Sequence, residues 1–232
     1  MKPGDIISYM EMCQEEGFNL QKGMNYRVKS DYSIFLMSVR VGAPYSDRVL
    51  ENGRVLIYEG HDVHRTKYGP NPKTVDQSMT NQYGSLTENG KFFEAARDYK
   101  NGSREAEKIK VYEKIKKGIW VYNGTFDLMD ANIEESHGRN VFKFRLEVTD
   151  ALEESFTIKI SADDLKHTRM IPSDVKLSVW KRDKGKCKIC GSNTNLHFDH
   201  VVPYSKGGTS FITKNVQLLC AYHNLSKSDK IE

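Results

Sequence analysis

The chain has 232 residues, 28% of them charged and 38% hydrophobic, enough for one large domain or a medium one joined to a small one. No apolar run approaches a membrane span, and the opening stretch MKPGDIISYMEMCQEEGF carries acids where a secretory signal needs an apolar core, so the expected location is cytoplasmic and no membrane partner is expected. Net charge is +4 but uneven: from Lys166 onward twelve Lys and Arg face five Asp and Glu, against 23 and 26 in the remainder, which suits the C-terminal part to a polyanion.

In chain order, Ile6 to Glu16 reads as a short helix. Tyr32 to Val39 is rich in β-formers and reads as a strand, as does Arg54 to Tyr58, which Gly60 stops. The segment between them is a loop, and His61 to Gln82, with Pro70, Pro72 and Gly69, is a longer one. Asn89 to Lys100 has helical spacing at Phe92, Phe93, Ala96 and Tyr99. Lys108 to Lys116 alternates as a strand. Ile119 to Tyr122 and Phe126 to Leu128 read as two strands around an Asn123-Gly124 hairpin turn. Val141 to Val148 alternates most cleanly of all. This run of strands with one or two helices predicts a curved sheet or partial barrel. A boundary falls between Ile160 and Ile171, in the polar stretch Asp163 to Arg169, and Pro172-Ser-Asp174 opens a helix with Val175, Val179 and Trp180 on its apolar face.

Of four cysteines, Cys187, Cys190 and Cys220 lie within 34 residues of one another, whereas Cys13 stands apart and reads as a small buried hydrophobe. Cys187-x-x-Cys190 followed by Gly191 presents two thiolates from one turn, and Cys220-x-x-His223 supplies two more ligands. Together they predict a tetrahedral Cys₃His zinc site. A module of about 55 residues has little core of its own, so the ion would act as a staple.

Between and beyond these ligands stand Asp199-His200, Pro203, Gly207-Gly208, Asn215, Asn224 and Lys227. In that order, from Val179 to Ile231, the sequence resembles the HNH, or ββα-metal, endonucleases. The resemblance implies strands at Leu196–Val201 and Val216–Cys220 and a helix from about Tyr222 to Lys230. It implies that His200 is the general base, that Asp199 and Asn224 hold one hard divalent ion, Mg²⁺ or Mn²⁺, and that Asn215 braces the loop bearing His200. His197 shares a face with Asp199 and is expected to support that site or to touch the zinc lobe. Lys206, Lys214, Lys227 and Lys230 are expected phosphate contacts.

Tyr32-Ser-Ile-Phe-Leu, Pro44-Tyr45-Ser-Asp47, Asn52-Gly53-Arg54, Ile57-Tyr58-Glu-Gly60, Tyr122-Asn123-Gly124 and Val141 to Leu146 together resemble the SRA domain, which reads modified cytosine after flipping it from the duplex. Asn123 departs from that family's Tyr-Asp-Gly signature. The resemblance implies stacking by Tyr45 and Tyr58 and a carboxylate at Asp47 for the cytosine amino group, with Arg48 as an alternative base contact. The basic residues of the 61–82 loop (His61, His64, Arg65, Lys67 and Lys73) would enter a groove.

The expected architecture is therefore α+β. An SRA-like curved β-sheet or barrel with flanking helices occupies residues 1–165, a linker 166–175, and a small zinc-containing ββα-metal (HNH) domain 176–232. The expected function is cleavage of double-stranded DNA at or near 5-methylcytosine or a related base, with a homodimer or two meeting enzymes needed to cut both strands. Two alternatives differ in kind: an HNH nuclease reading unmodified DNA, and a zinc ribbon that binds DNA without cutting it.

Overall fold

The computed structural model describes residues 1–29, 31–149, 170–203, 206–228 and 230–231; the stretch Asp163 to Arg169, where the boundary was expected, lies outside them. The fold is α+β, as the residue pattern indicated. Among the described residues seven strands form one sheet in the order β2 (Met24–Lys29), β3 (Tyr32–Met37), β6 (Lys108–Lys116), β7 (Ile119–Ser136), β8 (Arg139–Val148), β5 (Val55–Glu59) and β4 (Arg48–Leu50). An eighth, β1 (Ile6–Ser8), pairs with the start of β7. Among the described residues only β3 and β6 run parallel, and the other pairs of this sheet are antiparallel.

Both faces of this sheet are covered, which explains the dense apolar runs. Alternation sends Phe35, Val111, Phe126, Phe142 and Phe144 to one face, where α2 (Glu88–Lys100) lays Phe92, Ala95 and Ala96 against them. Thr87 caps that helix by accepting from the Gly90 N–H at 3.2 Å. A Cβ on Gly90 would lie 2.2 Å from the Met79 carbonyl oxygen, so only glycine lets the preceding loop pass. Ile34, Tyr112, Trp120 and Tyr122 face the other way, under α1 (Tyr9–Glu16) and its Met12. Cys13 is half-buried at the edge of this cluster.

Three local readings are corrected. The helix expected from Ile6 begins at Tyr9, because Ser8 and Glu11 form a reciprocal capping box and Ile6–Ser8 are taken up as strand β1. β2 and β4 lie in stretches with no clear alternation. Asn123-Gly124 is not a turn, since β7 runs unbroken through it; register shifts there from Val111↔Gly124 to Tyr112↔Tyr122, leaving Asn123 as the extra residue of a bulge. The chain reverses instead at Lys117-Gly118 and at His137-Gly138, whose φ values of 54° and 74° suit a two-residue hairpin.

The C-terminal unit comprises α3 (Ser173–Arg182), β9 (Leu196–His200), β10 (Val216–Cys220) and α4 (Ala221–Lys227). β9 and β10 are antiparallel, with Asp199 opposite Gln217 and His200 opposite Val216. α4 ends at Lys227, short of the expected Lys230. The core of this unit (Val175, Val179, Leu196, Phe198, Val216 and Leu218) is continuous with Ile115 and Val121 of the large sheet. Among the described residues no helix is long and apolar enough to cross a membrane.

Candidate functional site

The four expected zinc ligands come from two local turns that meet across the end of β10. The Gly191 N–H donates to the Cys187 carbonyl at 2.8 Å, closing the Cys187–Cys190 turn, with Gly191 itself at a φ of 74°. Lys188 N–H pins the turn to the Leu218 carbonyl of β10 at 2.8 Å. Cys220 ends β10 and His223 sits in the first turn of α4, so both face the knuckle. The four ligand atoms all lie within 4.8 Å of one another. Thiolates about 2.3 Å from a tetrahedral zinc stand about 3.8 Å apart. Cys190 and Cys220 Sγ are separated by 3.8 Å, and His223 Nδ1 lies 3.5 Å from Cys187 Sγ and 3.3 Å from Cys220 Sγ. Burial pushes the Cys187 thiol up, but the backbone N–H groups of Cys190, Cys220 and Ile189 outweigh it and bring the thiol down to about 6. The donor set thus fits a structural zinc ion.

Beyond the staple, β9 delivers Asp199 and His200 at its end. His200 Nε2 is 2.9 Å from the hydroxyl of Ser210, a fully buried residue that the sequence reading did not single out. Asn215 accepts from the Val202 N–H at 2.8 Å and donates to the carbonyls of Val202 (3.3 Å) and Thr209 (2.9 Å). It therefore ties both ends of the loop that leads from His200 to Ser210. Gly208 packs closely on Val202, since a Cβ there would come within 1.8 Å of the Val202 carbonyl oxygen. Asp199 Oδ2 accepts from Gln217 Nε2 at 3.3 Å and pairs with Lys227 Nζ at 3.0 Å. Asn224 is half-buried on α4, the helix that also carries Lys227.

Two residues have partners other than those expected. Lys227 is only 3% exposed and donates to the His200 carbonyl at 2.6 Å as well as pairing with Asp199, so its ammonium faces inward and not toward a phosphate. Lys206, Lys214 and Lys230 are exposed. His197 pairs through Nδ1 with Asp5 Oδ1 at 2.8 Å, 192 residues away in sequence.

On the large sheet, Tyr45 and Tyr58 converge on one imidazole. The Tyr45 ring stacks on His61 (centroids 5.8 Å apart, 28° between planes) and the Tyr58 ring tilts against it at 6.5 Å. Tyr58 is 2% exposed, lies against Phe35, and has its hydroxyl 3.4 Å from His61 Nε2. Burial pulls His61 down to about 4, so it is neutral near pH 7 and does not contribute to the basic loop expected there. His64, Arg65, Lys67 and Lys73 remain exposed. Lys73 Nζ lies 4.0 Å from the Tyr45 ring centroid and pairs with Asp62 at 2.8 Å.

Asp47 accepts the Ser38 N–H through Oδ2 and the Glu59 N–H through Oδ1, each at 3.0 Å. Burial raises it to about 7; those two donors pull the other way and Glu59 adds to the rise. Arg48 is exposed beside it. A groove of about 820 Å³ between the two units is lined by Asp47, Arg48 and Arg40 on one side and Met170, Leu177 and Phe211 on the other.

Fold and site together define a ββα unit with a Cys₃His cluster that could hold zinc, joined to a large sheet covered on both faces. Residues 187–230 match the family model of the HNH endonucleases. No curated protein matches the chain. Among solved structures, the SUVH5 SRA domain in complex with hemi-methylated CG DNA is similar at 25% identity and a TM-score of 0.45, covering 64% of this chain and 89% of that one. The same domain with fully methylated CG DNA gives 26% identity and a TM-score of 0.45, over 64% and 90% of the two chains. The modification-dependent TagI restriction endonuclease aligns over 99% of this chain and 78% of its own, at 17% identity and a TM-score of 0.42.

Proposed function

We propose that this protein is a DNA endonuclease directed by modified cytosine, with the HNH unit hydrolysing the backbone and the large sheet reading the base. The observation that carries the nuclease half is the placement of His200 at the end of a zinc-stapled strand, its ring held by Ser210 and its loop braced by Asn215. An imidazole so fixed is suited to take a proton from an attacking water.

Asp199 and Asn224 offer hard oxygen donors on β9 and α4, a set that fits Mg²⁺ or Mn²⁺. When bound, such an ion supplies positive charge to the departing oxygen. Lys227, paired with Asp199 at 3.0 Å, offsets part of its charge. Exposed Lys206, Lys214 and Lys230 would position phosphates, and that binding would weaken steeply with salt.

For the base-reading half, Tyr45 supplies an aromatic ring beside His61, and Asp47 supplies a carboxyl that lines the groove. The Tyr58 ring lies behind Tyr45, against His61. These are the groups that a flipped 5-methylcytosine or related base needs to replace its lost stacking and pairing. One HNH site cuts one strand, so double-strand cleavage calls for a homodimer or two encounters. The test is nicking of methylated plasmid with Mg²⁺ or Mn²⁺ by the parent and by His200→Ala. The parent should nick and the variant should bind without nicking. A parent that binds DNA yet never nicks it would reduce the unit to a binding ribbon.

A further inference from the structure

The two units meet through contacts more specific than an apolar seam. Lys176 on α3 is 1% exposed, and its ammonium donates to Glu113 Oε2 at 2.8 Å and to Asn123 Oδ1 at 2.6 Å. Asn123 Nδ2 closes the triangle by donating to Glu113 Oε2 at 3.1 Å. Glu113 and Asn123 belong to neighbouring strands of the large sheet and are themselves 1% and 4% exposed. Asn123 reaches this position because it is the extra residue of the β7 bulge, and bulges re-aim a side chain in this way. A second link is independent of the first: the Gly4 carbonyl accepts from Phe198 N–H at 3.3 Å, Asp5 bridges His197 on β9, and β1 then continues into the large sheet.

We propose that Lys176, Glu113 and Asn123 are positioning residues that hold the nuclease unit in one register on the large sheet, so that the backbone cut falls at a set distance from the base being read. This rests on the reading given under Proposed function. The apolar contacts of Ile115 and Val121 with Val175, Val179 and Phe198 provide adhesion, but they tolerate sliding. The buried triangle does not, because any shift leaves an ammonium or a carboxylate without partners inside the protein. A buried ion pair contributes little net stability compared with an apolar replacement, and its best-attested use is to select one register. The strap from Gly4 to Ser8 restrains β9 from the other side.

The test uses the full-length protein on end-labelled duplexes carrying a single 5-methylcytosine, with cut positions mapped at nucleotide resolution. The parent should give one dominant cut per strand. The neutral variant Lys176→Met/Glu113→Gln should still cleave, but its dominant position should fall to about half or less of the product as neighbouring phosphates are cut. The swapped variant Lys176→Glu/Glu113→Lys should restore a single position, which covers the case in which the neutral variant does not fold.

A DNA-free readout separates this proposal from the reading beneath it. Spin labels on ketone-bearing amino acids at exposed Tyr83 and Tyr222 should give a narrow distance distribution in the parent and a broad one in the neutral variant. A broad distribution in the parent, scattered cuts by the parent, or an unchanged single cut in a folded neutral variant would each overturn the proposal. Equal cleavage of methylated and unmethylated duplexes alongside a narrow distance would instead overturn the base-reading function and leave the register standing.

Discussion

Asn215→Ala isolates the brace from the chemistry. The side chain makes three hydrogen bonds, to Val202 N–H (2.8 Å), Val202 carbonyl (3.3 Å) and Thr209 carbonyl (2.9 Å). At about 0.5–1.5 kcal/mol net for each, their loss sums to about 1.5–4.5 kcal/mol; the half-buried partners can recruit water, which favours the lower end. A cost of about 2 kcal/mol in a chain of this size lowers the melting temperature by about 4–8 °C.

The larger effect should be kinetic. The loop that Asn215 closes carries Ser210, and Ser210 holds the His200 ring, so a displacement of about 1 Å should cost about a hundredfold in single-turnover nicking. Asn215→Asp keeps an acceptor for the Val202 N–H but loses both donors, and should fall between parent and alanine variant. Thermal melts and nicking rates on the same preparations decide the matter. An alanine variant that melts with the parent and nicks at the parental rate would refute the brace.

Removing one thiolate, as in Cys190→Ser, should abolish the one zinc per chain that elemental analysis is expected to find in the parent, and should lower the melting transition; a parent that holds no zinc at any stoichiometry would remove the staple. Tyr45→Ala removes an aromatic face worth about 1–3 kcal/mol, so affinity for methylated duplex should drop by about five- to 150-fold while affinity for unmethylated duplex is unchanged, as measured by fluorescence anisotropy. Burial pushes the Glu16 carboxyl up, but the hydroxyls of Tyr112 and Tyr32 (the latter 2.6 Å away) and the Lys110 ammonium at 3.1 Å outweigh it and hold it below the usual carboxylate range. Its stabilisation is present above the unfolded value and lost as pH falls through the depressed one. Glu16→Gln should therefore cost about 1–3 kcal/mol at pH 7, with the gap closing as acid titrations pass below pH 4; a gap independent of pH would contradict the charge-based account.

What was legible in the sequence was mostly local. The Cys-x-x-Cys and Cys-x-x-His spacings sit on a turn and a helix start, so local backbone geometry aims each pair, and the Lys188 to Leu218 hydrogen bond brings the two pairs together. β8 and α2 were legible because one face of each is apolar at a regular period. Asn123-Gly124 misled because the residue pair that suits a hairpin turn also suits a bulge, and only the register between β6 and β7 distinguishes them. Ile6–Ser8 have no strand pattern of their own; their pairing with β7 makes them one. Ser210, the inward turn of Lys227, the Asp5–His197 pair and the packing of His61 between two tyrosines all depend on tertiary placement, which residue spacing does not encode. Ser210 alone had a nearby signal, a hydroxyl between Gly207-Gly208 and Asn215 in the loop that must fold back on His200.

The most direct measurement compares two duplexes identical in sequence, one with 5-methylcytosine and one with cytosine, incubated with the parent protein and Mg²⁺ or Mn²⁺. The account predicts cleavage of the methylated duplex, little of the other, and none of either by His200→Ala. Equal cleavage of both duplexes by the parent would contradict it.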